Sequence, residues 1–399
     1  MKKDIDLINP LPDLQELEKM IDFCGRHKKI YIYGAAYNQQ HLFKYLEMCG
    51  INVSGYVVTD KSCVTIKWFY RPAELKDIFT VMKEEESGII IGLSEKYYNE
   101  VIPLLCENRY SSVFFMSEYN KQTIAKQVRK RCKEEMTVEV SLADHCNLSC
   151  QMCDHYSQLS KPSFLNETQF KNDIVRLGEL FDNSIGCIWL LGGEPTLNEN
   201  IIEIIRITRC QFPDSEIRLL TNGVLLLQWE HSKNGNLWEA LFKYNIHIIL
   251  TIYPINLDYE AIEKKANEYK VLIDMSSDIH AEENTKVTKI SDKHTMKLDK
   301  SVEKFYCIGC LYYNKFNTLK NGRIYMCPVS AHSDIFNSAF EQKLELTEMD
   351  SIDIYKINSW EEIAEFSSCY VPFCSYCDLK NWGHHSSWKP STKKIEEYI

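Results

Sequence analysis

Two hydrophobic rhythms alternate along this chain. Short apolar runs of strand length stand at 29–34 (KIYIYG), 52–59 (NVSGYVVT), 88–93 (GIIIGL) and 112–116 (SVFFM). Between them, residues 39–49 and 97–107 carry apolar positions at helical spacing, as do Leu14, Leu17, Met20 and Ile21 within 1–27. Strands that alternate with helices predict a parallel α/β unit over residues 1–120. The stretch 121–135, KQTIAKQVRKRCKEE, is polar and helix-prone and reads as a linker helix. Its basic residues are followed at once by Glu134 and Glu135, so a solvated face is expected there and not a nucleic-acid patch.

The same alternation resumes at Thr137. Strands are predicted at 137–142, 188–191, 216–220, 246–253 and 271–275, the fourth stopped by Pro254. Helices are predicted at 167–181, 200–210, 237–244 and 259–269; the first repeats Phe170, Ile174, Leu177 and Phe181 on one face. A run of βα units implies parallel strands, with chemistry gathered at their C-terminal ends. The segment 143–155, Gly192 to Glu194, Thr221, Asn222 and Thr251 all fall at such ends.

That first strand end, SLADHCNLSCQMCDH, holds Cys146, Cys150 and Cys153 in the spacing CxxxCxxC. Structural zinc takes four ligands, commonly from CxxC pairs. Three clustered thiolates suit three corners of a 4Fe–4S cube and leave one iron open. The next strand ends in Gly192-Gly193-Glu194-Pro195, where two glycines permit close backbone approach and a carboxylate is available to a cation. CxxxCxxC after one strand and GGEP after the next resemble the radical S-adenosylmethionine (radical SAM) enzymes. The resemblance implies a partial (β/α)6 barrel over 136–300 and a 4Fe–4S cluster on the three cysteines. It also implies S-adenosylmethionine on the open iron, with its amino group met by Gly192, Gly193 and Glu194, and an electron donor such as flavodoxin or ferredoxin. Thr221, Asn222 and Thr251 are candidates for further polar contacts to the cofactor, although Asn222-Gly223 is also a turn signal. The family often has an aromatic residue packed on the adenine just before the third cysteine. Here that residue is Met152, so a changed contact is expected.

Composition narrows the picture. The chain has 399 residues, 45% hydrophobic and 26% charged, which suits two or three globular domains. A net charge of −10 argues against a nucleic-acid partner. No apolar run has the length of a membrane span, and the N-terminus lacks a signal-peptide core. The 16 cysteines are then expected to be reduced, in a cytoplasmic protein. Cys24, Cys49, Cys63, Cys106, Cys132, Cys187 and Cys210 read as buried, inert thiols.

The segment 301–399 carries a second thiol set, Cys307, Cys310, Cys327, Cys369, Cys374 and Cys377. Asn321-Gly322 between strand-like arms predicts a hairpin that brings Cys310 and Cys327 together. Cys310, Gly322 and Cys327, with the later pair Cys374 and Cys377, resemble the auxiliary-cluster extensions called twitch and SPASM. That resemblance implies a second 4Fe–4S cluster on Cys310, Cys327, Cys374 and Cys377; the absence of cysteines beyond Cys377 favours twitch. A zinc site on Cys307/Cys310 and Cys374/Cys377 is the alternative, and Cys307 and Cys369 stay unassigned.

The N-terminal unit resembles the Rossmann-like domains of some sugar-modifying enzymes. It lacks GxGxxG after its first strand and has only Gly34-Ala35-Ala36-Tyr37. Asp60, after the second strand, is a candidate for a ribose hydroxyl or else a solvated loop end. Together these resemblances imply hydrogen abstraction from a small polar substrate (sugar, cyclitol or nucleotide-linked) that ends in oxidation or epimerisation. A peptide maturase and a non-catalytic metal-binding scaffold are the competing readings.

Overall fold

The computed structural model describes residues 14–34, 37–59, 75–93, 97–276, 290–293, 295–300, 310, 316–381 and 383–399. It divides into two units, Met1–Arg131 and Cys132–Ile399. The first unit runs α1 (Leu14–Gly25), β1 (Lys29–Tyr33), α2 (Tyr37–Met48), β2 (Val53–Val58), β3 (Leu75–Asp77), α3 (Ile78–Val81), β4 (Ser87–Ile91), α4 (Tyr98–Glu107), β5 (Val113–Phe115) and α5 (Glu118–Arg129). Its five strands are all parallel, in the order β3-β2-β1-β4-β5. β1 lies between β2 and β4, so the order reverses at its end, where Gly34 takes φ +95°. Asp60, Ala35 and Ala36 lie outside the described residues. β3 and α3 were not legible as apolar runs: the strand is three half-buried residues, LKD.

The segment read as a linker helix is corrected. α5 packs against α2 within the first unit. It buries Asn120, Lys121, Ile124, Ala125, Val128 and Arg129, so one of its polar faces is interior. Lys121 donates to Leu93 O and Tyr98 Oη, which lets a charged head lie inside.

The second unit begins with β6 (Thr137–Ser141), α6 (Glu167–Phe181), β7 (Cys187–Leu191), α7 (Ile201–Gln211), β8 (Glu216–Thr221), α8 (Leu237–Lys243), β9 (His247–Thr251), α9 (Tyr259–Tyr269) and β10 (Ile273–Ser276). Side chains cap three of these helices: Asn166, Asn236 and Asp258 each accept from a first-turn N–H, worth about 1 kcal/mol apiece. β11 (Ile290–Lys293), β12 (Asn317–Lys320), β13 (Arg323–Tyr325), α10 (Pro328–Ala331), α11 (Ser333–Phe340), β14 (Ser351–Asp353), α12 (Trp360–Phe366) and β15 (Gly383–Ser387) follow. One eight-stranded sheet has the order β10-β9-β8-β7-β6-β12-β13-β14, and β11 pairs with β15 in a second, two-stranded one.

Strands β6 to β10 are neighbours in chain order and parallel. Right-handed crossovers then put α6 to α9 on one face. Val138, Val140, Ile188, Leu190, Ile217, Leu219, Ile248 and Leu250 bury that face against Phe170, Ile174, Ile204, Trp238 and Ile262. A sixth parallel strand, β12, lies on the other side of β6, and it comes from the C-terminal segment. It is one arm of the expected hairpin. Asn321 and Gly322 both have positive φ, 50° and 70°, as a tight primed turn requires. Asp173 of α6 holds the turn by accepting from Gly322 N at 2.9 Å. Ser359 stands at the N-cap of α12 but makes no side-chain cap bond.

Candidate functional site

The cysteine loop leaves β6 along the end of β7. Leu142 N donates to Leu191 O (2.7 Å), Gly193 N to Ala143 O (2.7 Å) and Glu194 N to His145 O (3.1 Å). This approach explains both glycines. A Cβ on Gly192 would stand 2.5 Å from Ala143 O, and one on Gly193 would stand 2.0 Å from His145 O. Neither backbone has room for a side chain.

Glu194 is buried, with 1% exposure. Its Oε1 accepts from Thr196 N (3.0 Å), Thr196 Oγ1 (2.5 Å) and Thr221 Oγ1 (2.6 Å), and its Oε2 from Asn222 N (2.9 Å). Burial pushes the carboxyl up, and these four donors pull against it. Glu194 thus clamps the end of β7 to the end of β8. Asn222 reaches on from the clamp. Its Nδ2 donates to Asn147 Oδ1 at 2.7 Å and lies 3.6 Å from Cys146 Sγ. Thr251 ends β9 half-buried and is not part of this network.

Cys146, Cys150 and Cys153 are free thiols, half-buried on the loop. Leu148 N donates to Cys146 Sγ at 3.3 Å, and the backbone N–H groups of His155 and Ser157 face Cys153 Sγ. Burial pushes Cys153 up to about 12, with Asp154 and Cys150 adding to it, and raises Cys146 as well. A positive centre is therefore needed to hold them as thiolates. Among the described residues no three His, Cys, Asp or Glu side chains converge as a single ion would require. Three thiols on one loop, with backbone N–H donors to two of the sulfurs, are a donor set that fits three irons of a cube.

The second thiol set is also brought together. Cys310 and Cys374 raise the thiol of Cys327, and Cys374, Cys327 and Cys310 raise that of Cys377; burial is the larger cause in both. Cys307 lies outside the described residues, and Cys369 is exposed. Tyr156 stands between the two sets. Its N–H donates to Cys153 O (3.0 Å), its hydroxyl donates to Met296 Sδ (2.9 Å), and Met296 pairs with Cys377 through the backbone. Of the cysteines read as inert, Cys24 and Cys187 are buried as expected. Cys49, Cys106 and Cys210 are exposed and Cys132 is half-buried, which corrects that reading. Cys49 and Cys210 stand at or beside helix ends, where the apolar stripe no longer holds them inward. Cys63 lies outside the described residues.

The inward face of the sheet was not read from the sequence. Glu139, Trp189, Arg218 and His247 share one register row across β6 to β9. Arg218 Nε pairs with Glu216 at 2.5 Å, and His247 Nε2 with Asp274 at 3.0 Å. Glu139 is 2% exposed; it accepts from Thr318 Oγ1 and faces His155 Nε2 at 3.8 Å. Beside it, His332 is fully buried, bonded to Ser141 Oγ (3.2 Å) and near Lys320 (3.3 Å) and Asp144 (3.7 Å). The available signal was alternation: V-E-V in β6 and I-R-L in β8 put one charge between two core residues.

Burial pushes Glu139 up to about 7, against the pull of His155 and Thr318. The unfolded chain gives up this proton near 4.5, while the folded chain keeps it to about 7. Stability from this group is therefore full at low pH and falls as pH rises through that window, by about 3 kcal/mol in all. Burial lowers His332, which acts with the opposite sign as pH falls below 6.5. Glu139→Gln isolates the first effect. Relative to wild type, the apoprotein variant should gain stability between pH 5 and pH 8 in denaturant unfolding; an unchanged difference would contradict the burial of an ionisable group there.

Residues 140–265 match the family model described as the Radical SAM superfamily. The chain contains a radical SAM domain. The chain is 33% identical over 92 residues to GTP 3′,8-cyclase of Streptomyces coelicolor, covering 22% of this chain and 26% of the relative. It is 35% identical over 89 residues to a probable GTP 3′,8-cyclase of Pyrococcus horikoshii, covering 22% and 27%. The match thus spans about a quarter of these relatives. Among solved structures, BtrN in complex with AdoMet and 2-DOIA aligns with TM-score 0.39 and 16% identity, over 61% of this chain and 92% of that one. Streptococcus suis SuiB bound to precursor peptide SuiA aligns with TM-score 0.32 and 12% identity, over 71% and 82%. The cofactors of a radical SAM domain are a 4Fe–4S cluster and S-adenosylmethionine, and the thiol loop fits the first. Among the described residues no helix is long and apolar enough to cross a membrane.

Proposed function

We propose that this chain cleaves S-adenosylmethionine reductively and takes a hydrogen atom from a small polar substrate, a sugar, cyclitol or nucleotide-linked compound. The observation that carries this reading is the inward face of the sheet. Buried Glu139, Arg218 and Asp274, with His247 and Trp189, offer both signs of charge and hydrogen-bonding groups beneath the cysteine loop. Such a surface suits a compound rich in hydroxyl groups.

Cys146, Cys150 and Cys153 are the proposed ligands of the cluster. When bound, cluster and cofactor supply a 5′-deoxyadenosyl radical that abstracts the substrate hydrogen. Gly192 and Gly193 keep the loop against β7. Glu194 Oε2 accepts one bond within the chain and retains acceptor capacity for the amino group of the cofactor. Thr221 holds Glu194 in place, Asn222 orients the loop beside Cys146, and Thr251, at the end of β9, is a separate proposed polar contact to the cofactor. Cys310, Cys327, Cys374 and Cys377 are the proposed ligands of an auxiliary cluster. Cys310 and Cys327 pack with Tyr156, Phe336, Phe373 and Tyr376, which exclude water, and Cys377 is buried. A carbinol would become a ketone by losing a hydrogen atom to the 5′-deoxyadenosyl radical, a hydroxyl proton to solvent and the remaining electron to the auxiliary cluster that these four cysteines would hold. Return of a hydrogen atom to the opposite face gives an epimer.

The double variant Cys374→Ala/Cys377→Ala tests for the auxiliary cluster that the oxidation needs. Iron in the reconstituted protein should fall from about eight to about four per chain, while dithionite-driven release of 5′-deoxyadenosine persists. A wild type with about four irons would remove the auxiliary cluster and put redox-neutral chemistry first. Substrate class is read by deuterium transfer into 5′-deoxyadenosine from C-deuterated sugars, cyclitols and sugar nucleotides. Transfer from a peptide alone would overturn the proposal.

A further inference from the structure

Residues 388–398 form a strap laid along the cysteine loop. Ser391 N donates to Ser149 O (2.8 Å), Gln151 N donates to Lys389 O (3.0 Å), and Cys150 pairs with Pro390 in antiparallel fashion. The last bond of this pairing joins Gln151 to Lys389, so Trp388 follows directly on from the paired strap. The strap is fixed beyond this point. Glu397 accepts from Ser391 Oγ and Thr392 Oγ1, both at 2.6 Å, and Tyr398 O accepts from Met296 N at 2.6 Å. Trp388 is therefore held at the rim by backbone pairing on the loop side and by side-chain anchors on the other.

Its own side chain has two properties. The indole ring meets Tyr253 edge-on, with centroids 5.8 Å apart at 70°. Tyr253 stands just past the end of β9, where Tyr259 Oη donates to its carbonyl (2.9 Å) and accepts from its N–H (2.8 Å). The indole N–H is buried and has no hydrogen-bond partner among the described residues. A buried donor without an acceptor costs free energy unless a ligand supplies one. An aromatic pair and an unsatisfied N–H beside a thiol loop suit a flat, nitrogen-edged ring. A polyol has neither π-face nor ring nitrogen, whereas the nucleoside half of the cofactor has both.

We infer that Trp388 and Tyr253 hold the adenine of S-adenosylmethionine, with the indole N–H donating to a ring nitrogen. Met152 offers no aromatic face within the loop, and the strap brings one from the far end of the chain. The inference rests on the cluster assignment proposed above. It makes the C-terminal segment part of the cofactor site.

The test is binding to the reconstituted holoenzyme by calorimetry, with iron counted in each sample. The probes are S-adenosylhomocysteine, which carries adenine, and methionine, which does not. Trp388→Leu should weaken S-adenosylhomocysteine by roughly ten- to a hundredfold and leave methionine unchanged. Trp388→Phe, which keeps a ring but loses the donor, should fall between the two and guards against misfolding of the first variant. Affinity for S-adenosylhomocysteine within twofold of wild type, at unchanged iron, would overturn the inference. So would equal losses for both probes, which would mean that the strap supports only the cluster. A wild type without iron that binds neither probe would overturn the cluster assignment and this inference together, and the iron count tells that case apart.

Discussion

Replacing Cys146, Cys150 and Cys153 together by alanine is expected to abolish 5′-deoxyadenosine formation and to lower iron from about eight to about four per chain. The effect should be chemical and not structural. The loop is rooted by backbone bonds from Gly193 to Ala143 and from Glu194 to His145, and by the strap at Ser149 and Gln151. The clamp on Glu194 uses Thr196, Thr221 and Asn222 and none of the thiols. Burial keeps Cys146 and Cys153 protonated without a metal, so their loss removes no charge from the apoprotein. Unfolding of the apo variant should then stay within about 1 kcal/mol of wild type. A fall from about four irons to none would mean that the C-terminal cysteines hold no cluster, and about twelve in wild type would mean two auxiliary clusters. No iron in wild type would remove the basis of the proposed chemistry.

What could be read from the sequence was local in origin. CxxxCxxC, GGEP and the Asn321-Gly322 turn each place their functional atoms within a few residues, so spacing alone carried them. The βα rhythm was legible because each strand buries one apolar row against a helix of its own period. Features set by distant pairing were not. Glu139, Arg218 and His247 sit singly inside apolar strands, and only the register across β6 to β9 makes them one surface. β12 joins the sheet beside β6 because Asn317 to Leu319 pair with Val138 to Val140, a choice no nearby residue announces. The 121–135 segment misled for a related reason. Its charges match a solvated helix, yet Lys121 finds Leu93 O and Tyr98 Oη from other elements, and those partners make burial tolerable. Trp388 shows the same limit, since its place beside the loop depends on a strap more than two hundred residues from Cys150.

Gly193→Ala is expected to cost the radical cluster without touching a ligand. The added Cβ would stand 2.0 Å from His145 O, 2.3 Å from His145 C and 2.9 Å from Cys146 N. All three are backbone atoms at the root of the thiol loop, so no side chain can swing aside. The loop must move off β7, which breaks the bonds from Gly193 N to Ala143 O and from Glu194 N to His145 O. Displacement of Cys146 follows directly, because its own N–H is one of the crowded atoms. Loss of those bonds and the forced shift should destabilise the second unit by about 2–4 kcal/mol. Iron should fall to the auxiliary complement, about four per chain. Gly25→Ala is the comparison: nothing lies within 4 Å of its added Cβ, and no change in iron or cofactor cleavage is expected. Full iron and normal 5′-deoxyadenosine formation in Gly193→Ala would show that the loop does not lie against β7 as described. The close approach of Gly193 to His145, and not the spacing of the cysteines alone, is what the experiment weighs.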